Sequence, residues 1–323
     1  MNGLRWLAIA GLSLLCVSGA AAQNYPTRPV TIVVPYAAGG GTDLLARMVA
    51  QKLEQRLGKS FVVENRPGGG TVIAALAVAK APADGYTLLM GTSTPLAINA
   101  TLHKKLPYDP ATDFVPLALV ANVPFVLVVN PSQPIKSASD LVKLAKEKPG
   151  SLSYGSSGPG SPHHLFAEMF KSMTGIEMTH VPYKGSVPAL TDVVAGHIPL
   201  MFCDLGPAQP MIKQGKVRAL GVTSAVRVAS LSDVAPIAEV GVPGFEAVAW
   251  QMLVAPANTP RPIVDTLYKE LKIVLALPEI KQRISELGMI PIDSAPPDAL
   301  VRYVKTEIVR WGAVVKKSGA SVE

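Results

Sequence analysis

The sequence predicts an α/β protein of two lobes joined by two crossing strands. Three observations predict it. Short apolar or β-branched runs alternate with amphipathic runs of helical period, the pattern of parallel strands covered by helices. Two such alternating blocks follow one another, with a boundary near residue 123. The chain then turns back: a continuous apolar run over 249–255 and three helical stretches complete the first block. The first lobe is therefore expected over 23–122 with 233–323, and the second over 123–232. A length of 323 residues suffices for two cores, and the abundance of Pro (29) and Gly (27) fits many tight connections.

The elements follow in order. Arg5, an apolar run over 7–17 and Ala20–Ala22 read as a secretory leader, too short and wrongly flanked to span a bilayer. Leu15 stands before Cys16 where a lipidation signal has a small residue, so simple cleavage after Ala22 is expected. A strand over 30–34 enters a glycine-rich loop. Leu44, Leu45, Met48, Val49, Leu53 and Leu57 then fall on one helical face that ends at Gly58. A strand over 61–63, the loop 65–70, an Ala-rich helix to about 80 and a strand over 87–90 complete the first block. In the second block, strands are expected over 125–129, 152–154, 180–183, 198–202 and 217–222. Helices are expected from a capping box at Ser137–Asp140, over 163–173, over 186–195 and from Pro207. Helices over 262–275, 278–287 and 297–317 finish the chain.

Two loops carry the chemistry. The first, 35–43, lies between a strand and a helix and reads Pro-Tyr-Ala-Ala-Gly-Gly-Gly-Thr-Asp. Its glycines allow close backbone approach, Thr42 and Asp43 can cap the helix, and free amides there favour an anion. Asp43, being negative, suits fixing the loop or a bridging water. The second, 154–164, has the same setting in the other lobe. It offers the hydroxyls of Ser156, Ser157 and Ser161, with Ser161 as helix cap and Pro162 at the first helical position. Two opposed helix N-termini would grip one acid group. Thr92, Lys184 and Asp204 lie on supporting loops. Lys184 can pair with an anion or stay solvated, and Asp204 can accept from a ligand or cap the helix from Pro207.

Other classes fit poorly. A net charge of +7 is mild, and the basic residues are scattered without interleaved aromatics, so no nucleic-acid partner is expected. No serine-hydrolase elbow, phosphate loop, dinucleotide fingerprint or zinc spacing is present, and no cofactor or metal is expected. Cys203, the one cysteine beyond the leader, reads as a small buried strand residue. Ser157, His163 and Asp204 have the residue types of a hydrolytic triad, and geometry decides that question.

Six ordered stretches together resemble a known family. They are YPTRPVTIVVPYAAGGGTD (25–43), VVENRPGGGTVIAA (62–75), ADGYTLLMGT (83–92), YGSSGPGSPHHL (154–165), HVPYKGSVPALTDVVAGHI (180–198) and VRALGVTS (217–224). The family is the Bug or TctC type of extracytoplasmic receptor that serves tripartite tricarboxylate transporters. The resemblance implies a type II-like periplasmic-binding-protein fold and a ligand carboxylate held in the cleft by amides, hydroxyls and bridging waters. Carried over, it points to Ala38, Gly39, Thr42, Asp43, Ser157, Gly160 and Ser161, then Thr92, Lys184 and Asp204. Tyr36 occupies a position that varies with ligand, and His163 is expected to touch it. The expected protein is a periplasmic receptor, not an enzyme, with a monomer as the default, and its partners are a small organic anion and integral membrane transporter subunits. A sensor subunit binding the same anion, or a serine hydrolase, stand as alternatives.

Overall fold

The computed structural model describes residues 25–322. The expected leader, with Cys16 and the cleavage point after Ala22, lies outside the described residues. Along the chain run β1 (Val30–Val34), α1 (Gly41–Leu57), β2 (Phe61–Asn65), α2 (Val72–Ala79), β3 (Thr87–Thr92) and α3 (Asn99–Leu102). Next come β4 (Phe114–Val129), α4 (Ala138–Glu147), β5 (Ser153–Ser156), α5 (Pro162–Thr174), β6 (Thr179–Pro182) and α6 (Ser186–Ala195). β7 (Leu200–Asp204), α7 (Leu205–Lys213), β8 (Arg218–Val222), α8 (Ile237–Val240) and β9 (Val248–Pro256) follow. The chain closes with α9 (Arg261–Ala276), α10 (Pro278–Glu286), β10 (Ile290–Pro291) and α11 (Pro297–Ser318).

Strand alternation sorts side chains to two faces of the first sheet. Val30, Ile32 and Val34 pack with Leu45, Val49 and Leu53 of α1, whereas Val33 joins Ala74 and Val78 of α2 on the other face. Burial on both faces is why these strands read as nearly continuous apolar runs. The first sheet has the order β2-β1-β3-β9-β4-β10, and the second has β8-β4-β7-β5-β6. Neither is wholly parallel, which corrects the parallel expectation. β9 runs antiparallel to β3 and β4, and β4 runs antiparallel to β7 and β8.

β4 is also longer than expected. It starts at Phe114, not near 125, and its 16 residues serve both sheets. Residues up to Pro124 pair with β9, and residues from Phe125 pair with β7 and β8. Pro116 and Pro124 obscured the first half, since proline is normally excluded from central strands. The ladder accommodates Pro116 beside a shift in register between Pro116 and Ala118. The return crossing lies beside the first. Thr223 donates its amide to the Phe125 carbonyl, its hydroxyl accepts from the Phe125 amide, and Ala247 donates to the Thr223 carbonyl.

α11 ties the lobes together. It packs on the 94–102 segment of the first lobe and on α5 of the second. Trp311 stacks on Phe166 with centroids 5.5 Å apart. Glu307, buried, accepts from the indole nitrogens of Trp250 and Trp311, each at 2.8 Å. Cys203 is fully buried on β7, as expected of a structural thiol, and burial pushes that thiol well up.

Candidate functional site

Topology brings the two loops together. β1 and β3 are parallel, and β4 runs in their sense, so the loop after β1 lies at the end of the first sheet where β4 leaves it. In the second sheet Asp204, the last residue of β7, pairs with Phe125, the first residue of β4 in that sheet. β5 is parallel to β7, so its loop lies at the same end. Both loops therefore face the crossing at Pro124–Phe125. Carboxyl ends of strands on both sides of a crevice are where open α/β sheets bind ligands.

In the first loop, the cap assignment needs correction. Gly40 is the helix N-cap, and α1 begins at Gly41, so Thr42 and Asp43 lie inside the first turn. Asp43 is 2% exposed and reaches back to accept from the Gly39 amide at 2.8 Å. Arg47 and Asn65 engage the same carboxylate, at 2.9–3.0 Å. Asn65 also donates to the Tyr36 carbonyl. Burial alone would raise the Asp43 carboxyl, but hydrogen bonds from Arg47, Gly39 and Asn65 outweigh it and hold it below the usual range. Asp43 thus fixes the loop. Gly39, with φ of 85°, makes the turn that presents its amide to Asp43, so that amide is taken. Among the described residues, the amides of Ala38, Gly40, Gly41 and Thr42 donate to no protein acceptor. They lie in a largely exposed stretch at the positive end of a 17-residue helix.

Tyr36 and Thr92 meet. The Tyr36 hydroxyl lies 2.9 Å from Thr92 Oγ1. Burial pushes that phenol up, hydrogen bonds with Thr92 and Thr94 offset this in part, and the charge of Asp204 adds to it. Asp204 of the second lobe is thus near enough to Tyr36 of the first for its charge to act on the phenol. Gly160 also lies close to the first lobe. Its φ is 71°, and a Cβ there would run into the Leu102 side chain of the first lobe.

The second loop is held differently. Ser161 is the N-cap of α5, accepts from the His164 amide and donates to the Gly158 carbonyl. The Gly160 amide donates to His164 Nδ1 at 3.1 Å, so it too is taken, and Gly160 contributes shape rather than a free donor. Ser156 Oγ lies 2.6 Å from His180 Nε2. His164 and His180 stack with centroids 4.0 Å apart, and Tyr154 stacks on His180. Lys184 is exposed and makes no hydrogen bond or ion pair among the described residues.

Ser157, His163 and Asp204 form a chain. Ser157 Oγ lies 2.9 Å from His163 Nδ1, and His163 Nε2 lies 2.9 Å from Asp204 Oδ2. The order of ring nitrogens is the reverse of the hydrolytic triad, in which serine faces Nε2 and the acid faces Nδ1. Phe125 packs edge-on against the imidazole. Burial tends to raise the Asp204 carboxyl, but the His163 charge and hydrogen bonds from His163 and Ser186 leave it lowered. Asp204 is the N-cap residue of α7, which starts at Leu205 rather than Pro207, yet its side chain makes no capping bond. Its side chain stays about 35% exposed.

Sequence reasoning missed the residues that hold these loops from behind: Arg47, Asn65, His164, His180 and Gln251. Asn65 and the two histidines lie in the motif stretches, and Gln251 is a lone polar residue in the apolar 249–255 run. Nothing in their spacing shows which loop each supports.

Comparison with known proteins identifies the family and the fold. The family described as "Tripartite tricarboxylate transporter family receptor" matches residues 45–320. Protein BugT of Bordetella pertussis is 36% identical over the whole of both chains. A solved R. palustris protein with adipate is 43% identical, covers 92% of this chain and 99% of its own, and superposes with a TM-score of 0.82. MatC from Rhodopseudomonas palustris with bound malate is 33% identical, covers 90% and 100%, and has a TM-score of 0.77. The family and its solved neighbours are binding receptors, not enzymes.

Proposed function

The chain belongs to the tripartite tricarboxylate transporter family of receptors, and from that premise we propose that it captures a small carboxylate in the cleft between its lobes. One observation carries the reading: the amides at the N-terminus of α1 have no protein acceptor among the described residues, and their loop and the Ser157–His163–Asp204 chain both lie at strand ends that meet at the Pro124–Phe125 crossing. A carboxylate accepts hydrogen bonds from such amides and is favoured by the helix dipole. Thr42, Ala38 and Ser157 are the direct partners in this reading. Tyr36 and His163 shape the rest of the cleft, and Asp43, Gly39, Gly160, Ser161 and Thr92 hold the loops. Lys184 lies at the rim, where it attracts anions over a distance. Asp204, ionised and open on one side, suits a ligand or bridging water that donates a hydrogen bond beside the clamped acid. Adipate and malate in the solved neighbours make small dicarboxylates the first candidates.

The lobes in this proposal are 23–122 with 233–323 and 123–232, hinged at the two crossings. The ligand bridges them and favours the closed form by its extra affinity for that form. The protein works in the periplasm after loss of the 1–22 leader and presents the closed form, as a monomer, to integral membrane transporter subunits. No described helix is long and apolar enough to cross a membrane.

A thermal-shift panel of mono-, di- and tricarboxylates tests the reading. A true ligand at a hundred times its Kd stabilises by about 2.7 kcal/mol. If no carboxylate raises the melting temperature, the receptor has another kind of ligand.

A further inference from the structure

Gln251 interrupts an otherwise apolar central strand. It lies in β9, paired with Thr92 on one side and Ala121 on the other, and is 3% exposed. Its Nε2 donates to Thr42 Oγ1 at 3.1 Å and points at Met289 Sδ at 3.8 Å, while its Oε1 has no hydrogen-bond partner among the described residues. An unpartnered buried acceptor is unfavourable. A polar side chain kept under that handicap, amid Trp250, Met252 and Leu253, calls for a compensating role.

Hydrogen-bond direction supplies one. An amide nitrogen only donates, so the Thr42 oxygen is the acceptor in this contact. The hydroxyl proton of Thr42 must then point elsewhere. No described protein acceptor receives it, and Thr42 lies half-exposed beside the free amides of Gly40 and Gly41. Met289 completes the support: a Cβ on Gly41 would meet its terminal methyl at 2.9 Å, so the first turn of α1 sits directly on this side chain. Gln251 and Met289 together form the floor under the first turn.

We infer that Gln251 is a positioning residue for ligand binding, which by donating to Thr42 Oγ1 from below turns the Thr42 hydroxyl proton into the cleft toward a bound anion. The inference rests on the carboxylate reading of the site and adds a specific source for one of its donors.

Calorimetric titration with adipate and malate tests it in a double-mutant cycle. Gln251→Met keeps the length and removes the donor, and about a tenfold loss of affinity is expected. Gln251→Glu reverses the direction, because a carboxylate accepts the Thr42 proton, and a loss of a hundredfold or more is expected at pH 8. That loss recovers as the pH falls and the substituted carboxyl protonates. In a Thr42→Val background, Gln251→Met is expected to change affinity less than twofold, since its effect passes through the missing hydroxyl. Unchanged binding in Gln251→Met, or an equal loss with and without Thr42, overturns the inference while leaving the receptor reading intact. A wild-type protein that binds no carboxylate overturns both.

Discussion

Asp43 holds both of its carboxylate oxygens against donors from three residues, so removing it strands Gly39, Arg47 and Asn65 together. Asp43→Ala is expected to lower stability by about 1–3 kcal/mol in urea unfolding. The figure sits below that of a fully buried ion pair because Arg47 is 49% exposed and water screens it. A midpoint shift equivalent to less than about 0.5 kcal/mol would show that the loop does not depend on this carboxylate. The same residue shows how a charge can help an anion site without touching the anion. Its negative charge is offset by Arg47, and its acceptors fix the turn that leaves four other amides open.

At the scale of one element, the second loop depends on two neutral imidazoles. His164 accepts from the Gly160 amide through Nδ1, which only the unprotonated nitrogen can do. Burial, then the neighbouring His180, push its pKa from the usual 6.5 down to about 4, with Glu168 opposing and Lys171 assisting. Burial lowers His180 as well. Tyr154 and Lys171 both donate to the Glu168 carboxylate, which keeps that charge engaged beside the rings. Below pH 6.5 the unfolded chain binds a proton at His164 that the folded chain refuses, so stability falls with acidification and levels off near pH 4. The expected loss from this group is roughly 3 kcal/mol across that window. Urea midpoints measured from pH 7 to pH 4 check it, with His164→Asn expected to flatten the slope. An unchanged slope in that variant would assign the acid sensitivity to other groups.

Across the whole molecule, Gly160 of one lobe lies close against Leu102 of the other. Any side chain at 160 must push Leu102 aside and accept a left-handed backbone. Gly160→Ala is expected to weaken carboxylate binding about tenfold and to leave the ligand-bound protein more open in solution scattering. Adding Leu102→Ala should restore most of the closure, because the obstruction is that side chain. If the second substitution restores nothing, the backbone strain at 160 is the whole effect. α11 spans both lobes. Its Trp311 stacks on Phe166 in the helix that begins at the second loop, while Glu307 anchors it to Trp250 on β9.

The order of strands and helices, the two glycine loops and the candidate residues within them were legible from local signals. Hydrophobic period, caps such as Ser137 and Ser161, and glycine before and after helices act over a few residues, and so does the pattern that reports them. Local signals also misled: prolines at 116 and 124 hid half of β4, and the polar pair Thr42–Asp43 looked like a cap when Gly40 holds that position. Only the tertiary structure decided which amides stay free and which side chains hold them in place. Gln251 meets Thr42 across 209 residues, His163 meets Asp204 across 41, and Gly39 and Gly160 lose their donors to Asp43 and His164. Such pairings depend on sheet order and register, which long-range packing sets and no short window of sequence records.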